Sequence, residues 1–116
     1  MKPRVLIVED DPLIALDLEI IIADKVPAEV IVAASVADAR RHVAEPITFA
    51  LLDIDVLDGK TFEIAEALAA RNTPFVFVSG SKPQEVPEPL RRAGFIPKPY
   101  RPEKIEETVE AALATR

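Results

Sequence analysis

The chain contains no cysteine, so it has no disulfide, no thiol nucleophile and no zinc–thiolate site, which fits a reducing compartment. It has no excess of positive charge: 14 Lys and Arg face 20 Asp and Glu, a net charge of −6. That balance disfavours nonspecific binding to nucleic acid or to an anionic membrane. No apolar stretch approaches the roughly 18 residues of a membrane span, and the start Met1-Lys2-Pro3-Arg4-Val5 meets acids after a short apolar run. Internal repeats, low-complexity tracts and linkers are also missing. A cytoplasmic protein of one domain over residues 1–116 is expected, with 49% hydrophobic residues for its core.

What is present is a set of four apolar runs, each ending at a residue suited to phosphate chemistry. Val5-Leu6-Ile7-Val8 runs into Glu9-Asp10-Asp11, and Phe49-Ala50-Leu51-Leu52 into Asp53. Phe75-Val76-Phe77-Val78 runs into Ser79, and Phe95-Ile96-Pro97 into Lys98-Pro99. Short apolar runs separated by helix-length segments read as strands of a parallel α/β sheet, whose ligands bind beyond the carboxyl ends of the strands.

The spacing predicts five strands alternating with five helices. Asp11 and Pro12 start a first helix over about 12–25, and Val30–Ala34 is the second strand. Ser35 caps a second helix that ends near Glu45-Pro46. A third strand at 49–53 leads to a turn at Gly59, and a third helix covers about 61–71. The next strands fall at 74–79 and 95–97, and Pro102 opens a last helix that runs to Arg116. Between those strands, Pro83, Pro87 and Pro89 restrict any fourth helix to a short one, with Gly94 as its stop.

If the sheet takes the doubly wound order in which the first and third strands are neighbours, Glu9 and Asp10 would stand beside Asp53. Acids so placed repel one another unless a cation joins them, and all-oxygen donors with an open face suit Mg²⁺. A lysine and a hydroxyl at the neighbouring strand ends supply the positive charge and hydrogen bond that a phosphoryl group needs. The lone His42 falls in the second helix, away from the strand ends.

The combination Val-Leu-Ile-Val-Glu9-Asp10-Asp11, Leu-Leu-Asp53, Val-Ser79-Gly80 and Lys98-Pro99-Tyr100 resembles the receiver domain of two-component response regulators, over essentially the whole chain. The resemblance implies a doubly wound, flavodoxin-like sheet of five parallel strands in the order 2-1-3-4-5. It implies that Asp53 is the phosphoacceptor, and that Asp10, Asp53 and the backbone carbonyl of Asp55 ligate Mg²⁺, with Glu9 acting through water. Ser79 would be the switch hydroxyl, Lys98 the partner of the phosphoryl group and Phe95 the aromatic of the switch, and the Lys98-Pro99 bond would be cis. The expected partners are a histidine kinase or histidine phosphotransfer protein and an unknown downstream protein, in a phosphorelay or simpler two-component pathway. The expected chemistry is self-catalysed phosphotransfer and autodephosphorylation, without turnover of an outside substrate and without an output domain.

The chain departs from the pattern in three places. The interval from Ser79 to Lys98 is short and rich in proline, which puts dimerisation through that face in doubt. Asp55 adds a carboxylate near the attacking water's route and is expected to alter the lifetime of the phosphorylated form. Phe95 has no hydroxyl, so rotation there is read through packing alone. On the first helix, at about 100° per residue, Ile14, Leu18 and Ile22 form a core stripe. Leu13, Leu16 and Ile20 lie on another side beside Asp17, either as a docking patch for a helical partner or as part of a wide buried face. Other readings touch the same residues. Asp53-Ile54-Asp55 resembles the nucleophile and acid pair of haloacid-dehalogenase-type phosphatases, but follows the third strand rather than the first. A pseudo-receiver acting as an unphosphorylated interaction module is the remaining alternative. A calcium loop from Asp53 fails, because Leu57 and Ile64 stand at ligand positions.

Overall fold

The computed structural model describes residues 2–114. Five strands, β1 (Arg4–Val8), β2 (Glu29–Ala33), β3 (Phe49–Leu52), β6 (Phe75–Ser79) and β7 (Gly94–Pro97), form one sheet. Its order is β2-β1-β3-β6-β7 and every pairing is parallel, so the chain reverses direction of winding beside β1. The short strands β4 (Asp55–Val56) and β5 (Gly59–Lys60) make a separate antiparallel hairpin. Among the described residues four α-helices complete the fold: α1 (Pro12–Lys25), α2 (Val36–Val43), α3 (Phe62–Ala70) and α4 (Pro102–Ala114). The last helix was expected to reach Arg116, and Thr115 and Arg116 lie outside the described residues.

Alternate residues of each strand feed two apolar layers, which explains why the strands read as continuous apolar runs. Leu6, Val8, Leu52 and Phe77 face α2 and α3, where Ala39, Ile64 and Leu68 cover them. Val5, Ile7, Leu51 and Val78 face α1 and α4, where Leu18, Ile22, Ile105 and Val109 cover them. The helix starts follow the expected chemistry. Asp11 Oδ1 accepts from the amides of Leu13 and Ile14, at 2.9 and 3.3 Å, with Pro12 at the first helical position. Ser35 Oγ accepts from the Asp38 amide at 3.0 Å.

Three local features differ from the sequence reading. The segment between β6 and β7 holds no α-helix, only 3₁₀ turns at Pro83–Glu85 and Glu88–Leu90. Proline removes the amide donors that a regular helix needs. Gly94 stops no helix; it opens β7, where a Cβ would stand 3.1 Å from Val76 Cγ1 on the neighbouring strand. The turn at Gly59, with φ of 143°, belongs to the β4–β5 hairpin.

Candidate functional site

Among the described residues only three polar or charged side chains are buried: Glu9, Thr61 and Ser79. Glu9 and Ser79 stand at the carboxyl ends of β1 and β6, and Thr61 touches the end of β3 through Asp53. The interior is apolar everywhere else, and burying a polar group is costly unless it is bonded. The buried polar groups thus mark one end of the sheet.

The β1–β3 pairing brings Val8 opposite Leu52, so the next residues, Glu9, Asp10 and Asp53, share that edge. One carboxylate oxygen from each of Glu9, Asp10 and Asp53 lies within 4.8 Å of the others. The Lys98 ammonium enters from the end of β7, 2.6 Å from Glu9 Oε1 and 3.0 Å from Asp53 Oδ2. Asp53 Oδ1 accepts from the Ile54 amide at 2.8 Å, and Glu9 Oε2 accepts from the Asp11 amide at 3.1 Å. Three acids against one ammonium leave an excess of negative charge that draws a cation, and an all-oxygen donor set suits Mg²⁺. Both oxygens of Glu9 and both of Asp53 are engaged by these bonds.

Burial pushes the Glu9 carboxyl up from its ordinary range, and the Asp53 charge adds to this against the opposing pull of Lys98 and the Asp11 amide. Burial also works against the Lys98 ammonium, but its bonds to Glu9 and Asp53 outweigh this and raise it.

Ser79 Oγ accepts from the Ser81 amide at 3.2 Å, and Ser79 O accepts from the Lys98 amide at 3.0 Å, so the hydroxyl and the lysine are tied through one strand pair. The Lys98-Pro99 bond is cis, as the resemblance implied. Phe95 is half-buried beside Phe77 on a cleft lined also by Pro83, Val86, Arg91 and Ala93. The Asp55 carboxylate does not join the acid cluster. It pairs with Lys60 and accepts from Ser81 Oγ at 3.0 Å, and the Lys60 contact holds it below the usual carboxylate range. The backbone role that the resemblance gives Asp55 makes no use of that side chain.

On α1, Leu13, Leu16 and Ile20 are exposed, at 77%, 52% and 57%, so the wide-buried-face alternative does not hold. Asp17 lies among them, but its carboxylate is taken by the Tyr100 phenol at 2.7 Å. His42 sits on α2 near Asp38 and Glu45, remote from the strand ends.

Two residues that sequence reasoning passed over hold the site in place. The fully buried Thr61 donates from Oγ1 to the Asp53 carbonyl at 2.5 Å, and its amide donates to Ile54 O at 2.9 Å. Asp58 accepts from the Val36 and Ala37 amides at 2.6 and 3.0 Å, fastening the loop after Asp53 to the N-terminus of α2. The only sequence signal for that loop was the Asp58-Gly59 pair, a turn signature.

No family model matches the sequence, and no curated protein matches it. Solved structures do. A CheY-like response regulator receiver domain protein from Methanospirillum hungatei superposes with a TM-score of 0.86 at 25% identity, covering 99% of this chain and 96% of that one. The PhyR response regulator receiver domain of Erythrobacter litoralis gives 0.83 at 26%, covering 99% and 92%. The non-phosphorylated HemR receiver domain of Leptospira biflexa gives 0.79 at 27%, covering 97% and 95%. The chain has the fold of response-regulator receiver domains along nearly its whole length.

Proposed function

We propose that this receiver domain accepts a phosphoryl group from a phosphohistidine onto Asp53 and passes the signal on by changing conformation. The observation that carries the reading is the meeting of Asp53 with Glu9, Asp10 and Lys98 at the carboxyl end of an otherwise apolar sheet. An Asp53 carboxylate oxygen attacks phosphorus in line. The new O–P bond forms as the P–N bond of the donor breaks, and the imidazole leaves. Asp10 and Asp53 would hold Mg²⁺, with Glu9 acting through water and Asp55 through its carbonyl. That ion neutralises the charge that the transferred oxygens bring.

Lys98 already contacts the acceptor carboxylate and supplies a fixed positive charge for the product. Once Asp53 carries the phosphoryl group, Lys98 and the Ser79 hydroxyl turn to the phosphoryl oxygens. Because Ser79 and Lys98 are joined through β6 and β7, that movement reaches Phe95, a two-state change driven by local charge. Water later hydrolyses the acyl phosphate in the same site, so the protein turns over no outside substrate. The exposed Leu13, Leu16 and Ile20 on α1 flank the site and suit docking of a histidine kinase or phosphotransfer protein.

The test is intact mass after incubation with Mg²⁺ and acetyl phosphate. One phosphoryl adduct in wild type, absent without Mg²⁺ and in Asp53→Ala, supports the phosphoacceptor. No adduct, together with no binding of beryllofluoride, makes the chain an unphosphorylated interaction module instead.

A further inference from the structure

We propose that Asp17 is a positioning residue for Lys98, and that the bond from the Tyr100 phenol to the Asp17 carboxylate fixes the turn that presents the lysine to Asp53. The inference rests on the phosphoacceptor reading, and it takes Asp17 out of the docking patch to which helix periodicity assigns it.

Lysine ends in a flexible chain, so where its ammonium stands depends on how firmly the backbone beneath it is held. Before Lys98 the backbone is fixed, because its amide donates to Ser79 O at 3.0 Å as β7 ends. After it, the next regular element is α4, which begins at Pro102. Pro99 has no amide to donate. Of residues 99–101, Tyr100 alone makes a side-chain hydrogen bond, to Asp17 Oδ2 at 2.7 Å, across 83 positions of sequence. The Tyr100 ring is packed against the same apolar layer as Val5, Ile7 and Leu18. Packing therefore sets where the ring lies, and the hydroxyl sets its direction. Burial, and then the bond to Asp17, raise the phenol above its ordinary range, as a donor held by a carboxylate must be.

Ile14 and Asp17 on one side, and Lys98, Pro99 and Tyr100 on the other, line an open groove between α1 and the turn. The bond crosses that groove and makes α1 a support for the lysine. Small displacements at a reacting centre cost far more rate than stability.

The experiment compares Asp17→Ala, Asp17→Asn, Tyr100→Phe and the double variant Asp17→Ala/Tyr100→Phe with wild type. It uses acetyl phosphate with Mg²⁺, a donor too small to feel a docking contact. Asp17→Ala and Tyr100→Phe should each slow phosphorylation roughly ten-fold, and the double variant should be no slower than either. Asp17→Asn keeps an acceptor oxygen and should recover most of the rate. The chain has one tyrosine and no tryptophan, so its ultraviolet emission reports Tyr100 alone. A phenol bonded to a carboxylate emits weakly, and Asp17→Ala should brighten it. A wild-type rate in Asp17→Ala overturns the inference and returns Asp17 to docking, as does emission that does not change. If wild type takes up no phosphoryl group, the phosphoacceptor reading itself fails, and the role given to Asp17 goes with it.

Discussion

Replacing Thr61 by valine removes one hydroxyl and keeps the branched shape, so it isolates a single bond behind the acceptor aspartate. Thr61 is fully buried, and its Oγ1 donates to the Asp53 carbonyl at 2.5 Å. Valine leaves that carbonyl without this donor, where water cannot readily replace it. Leaving a buried polar group unsatisfied costs about 1–3 kcal/mol. With a urea m-value of about 1.5 kcal/mol/M, a loss of about 2 kcal/mol lowers the unfolding midpoint by roughly 1.3 M. Thr61→Ser supplies the control: it keeps the hydroxyl and gives up one buried methyl, at about 1 kcal/mol. The expected order of stability is wild type, then serine, then valine, read from urea unfolding followed by circular dichroism, with m unchanged. If packing rather than the hydroxyl matters, valine exceeds serine. That order would refute the role given to the bond.

Other consequences of the site can be measured directly. At ten times its dissociation constant, Mg²⁺ should stabilise the protein by about 1.4 kcal/mol, or roughly 5 °C in Tm for a domain of this size. The same shift in Asp10→Asn would place the ion elsewhere. Asp55, Asp58 and Glu63 are held below the ordinary carboxylate range, by Lys60, by the Val36 and Ala37 amides, and by Arg40. Their contribution is present above the unfolded values near pH 4 and is lost as pH falls through the lower folded ones. Stability should therefore drop on acidification, less steeply in Asp58→Asn and in high salt; an acid limb that Asp58→Asn leaves unchanged contradicts this. Glu9 runs the other way: its raised value makes its contribution decline as pH climbs above about 4.5. Leu16→Arg, at an exposed position, should leave stability within about 0.5 kcal/mol and abolish transfer from a histidine-containing partner. Undiminished transfer removes α1 as the docking face.

What could be read from the sequence was whatever repeats along it. β1, β3 and β6 are covered on both faces, so they appear as unbroken apolar runs, and the residue that ends each run is the one at the sheet edge. Helix starts carry local signatures, and Asp11-Pro12 and Ser35 act as such signatures suggest. What could not be read was whatever depends on a neighbour distant in the chain. The β4–β5 hairpin has two-residue strands, too short to show a period. Thr61 looks like an ordinary helix cap, but it makes no side-chain capping bond and turns back to Asp53 instead. Gly94 looks like a helix stop because its reason, the Val76 side chain, belongs to another strand. Asp17 looks like part of an exposed face because Tyr100 lies far along the sequence.

The segment between Ser79 and Lys98 shows how composition can remove an element and still keep its packing. Pro83, Pro87 and Pro89 take away donors that a helix there would use, and carbonyls are left needing partners. Arg91 supplies two of them: its Nε donates to Val86 O at 2.8 Å and its Nη2 to Gln84 O at 3.1 Å. Val86 and Leu90 remain buried against the same layer as Phe77, so the apolar cover survives the loss of the helix. Phe95 therefore rests beside a strap of 3₁₀ turns that the Arg91 guanidinium braces, rather than beside a regular helix. A switch through Phe95 would act on the cleft that Val86 and Arg91 also line, and so on the bonds that Arg91 makes.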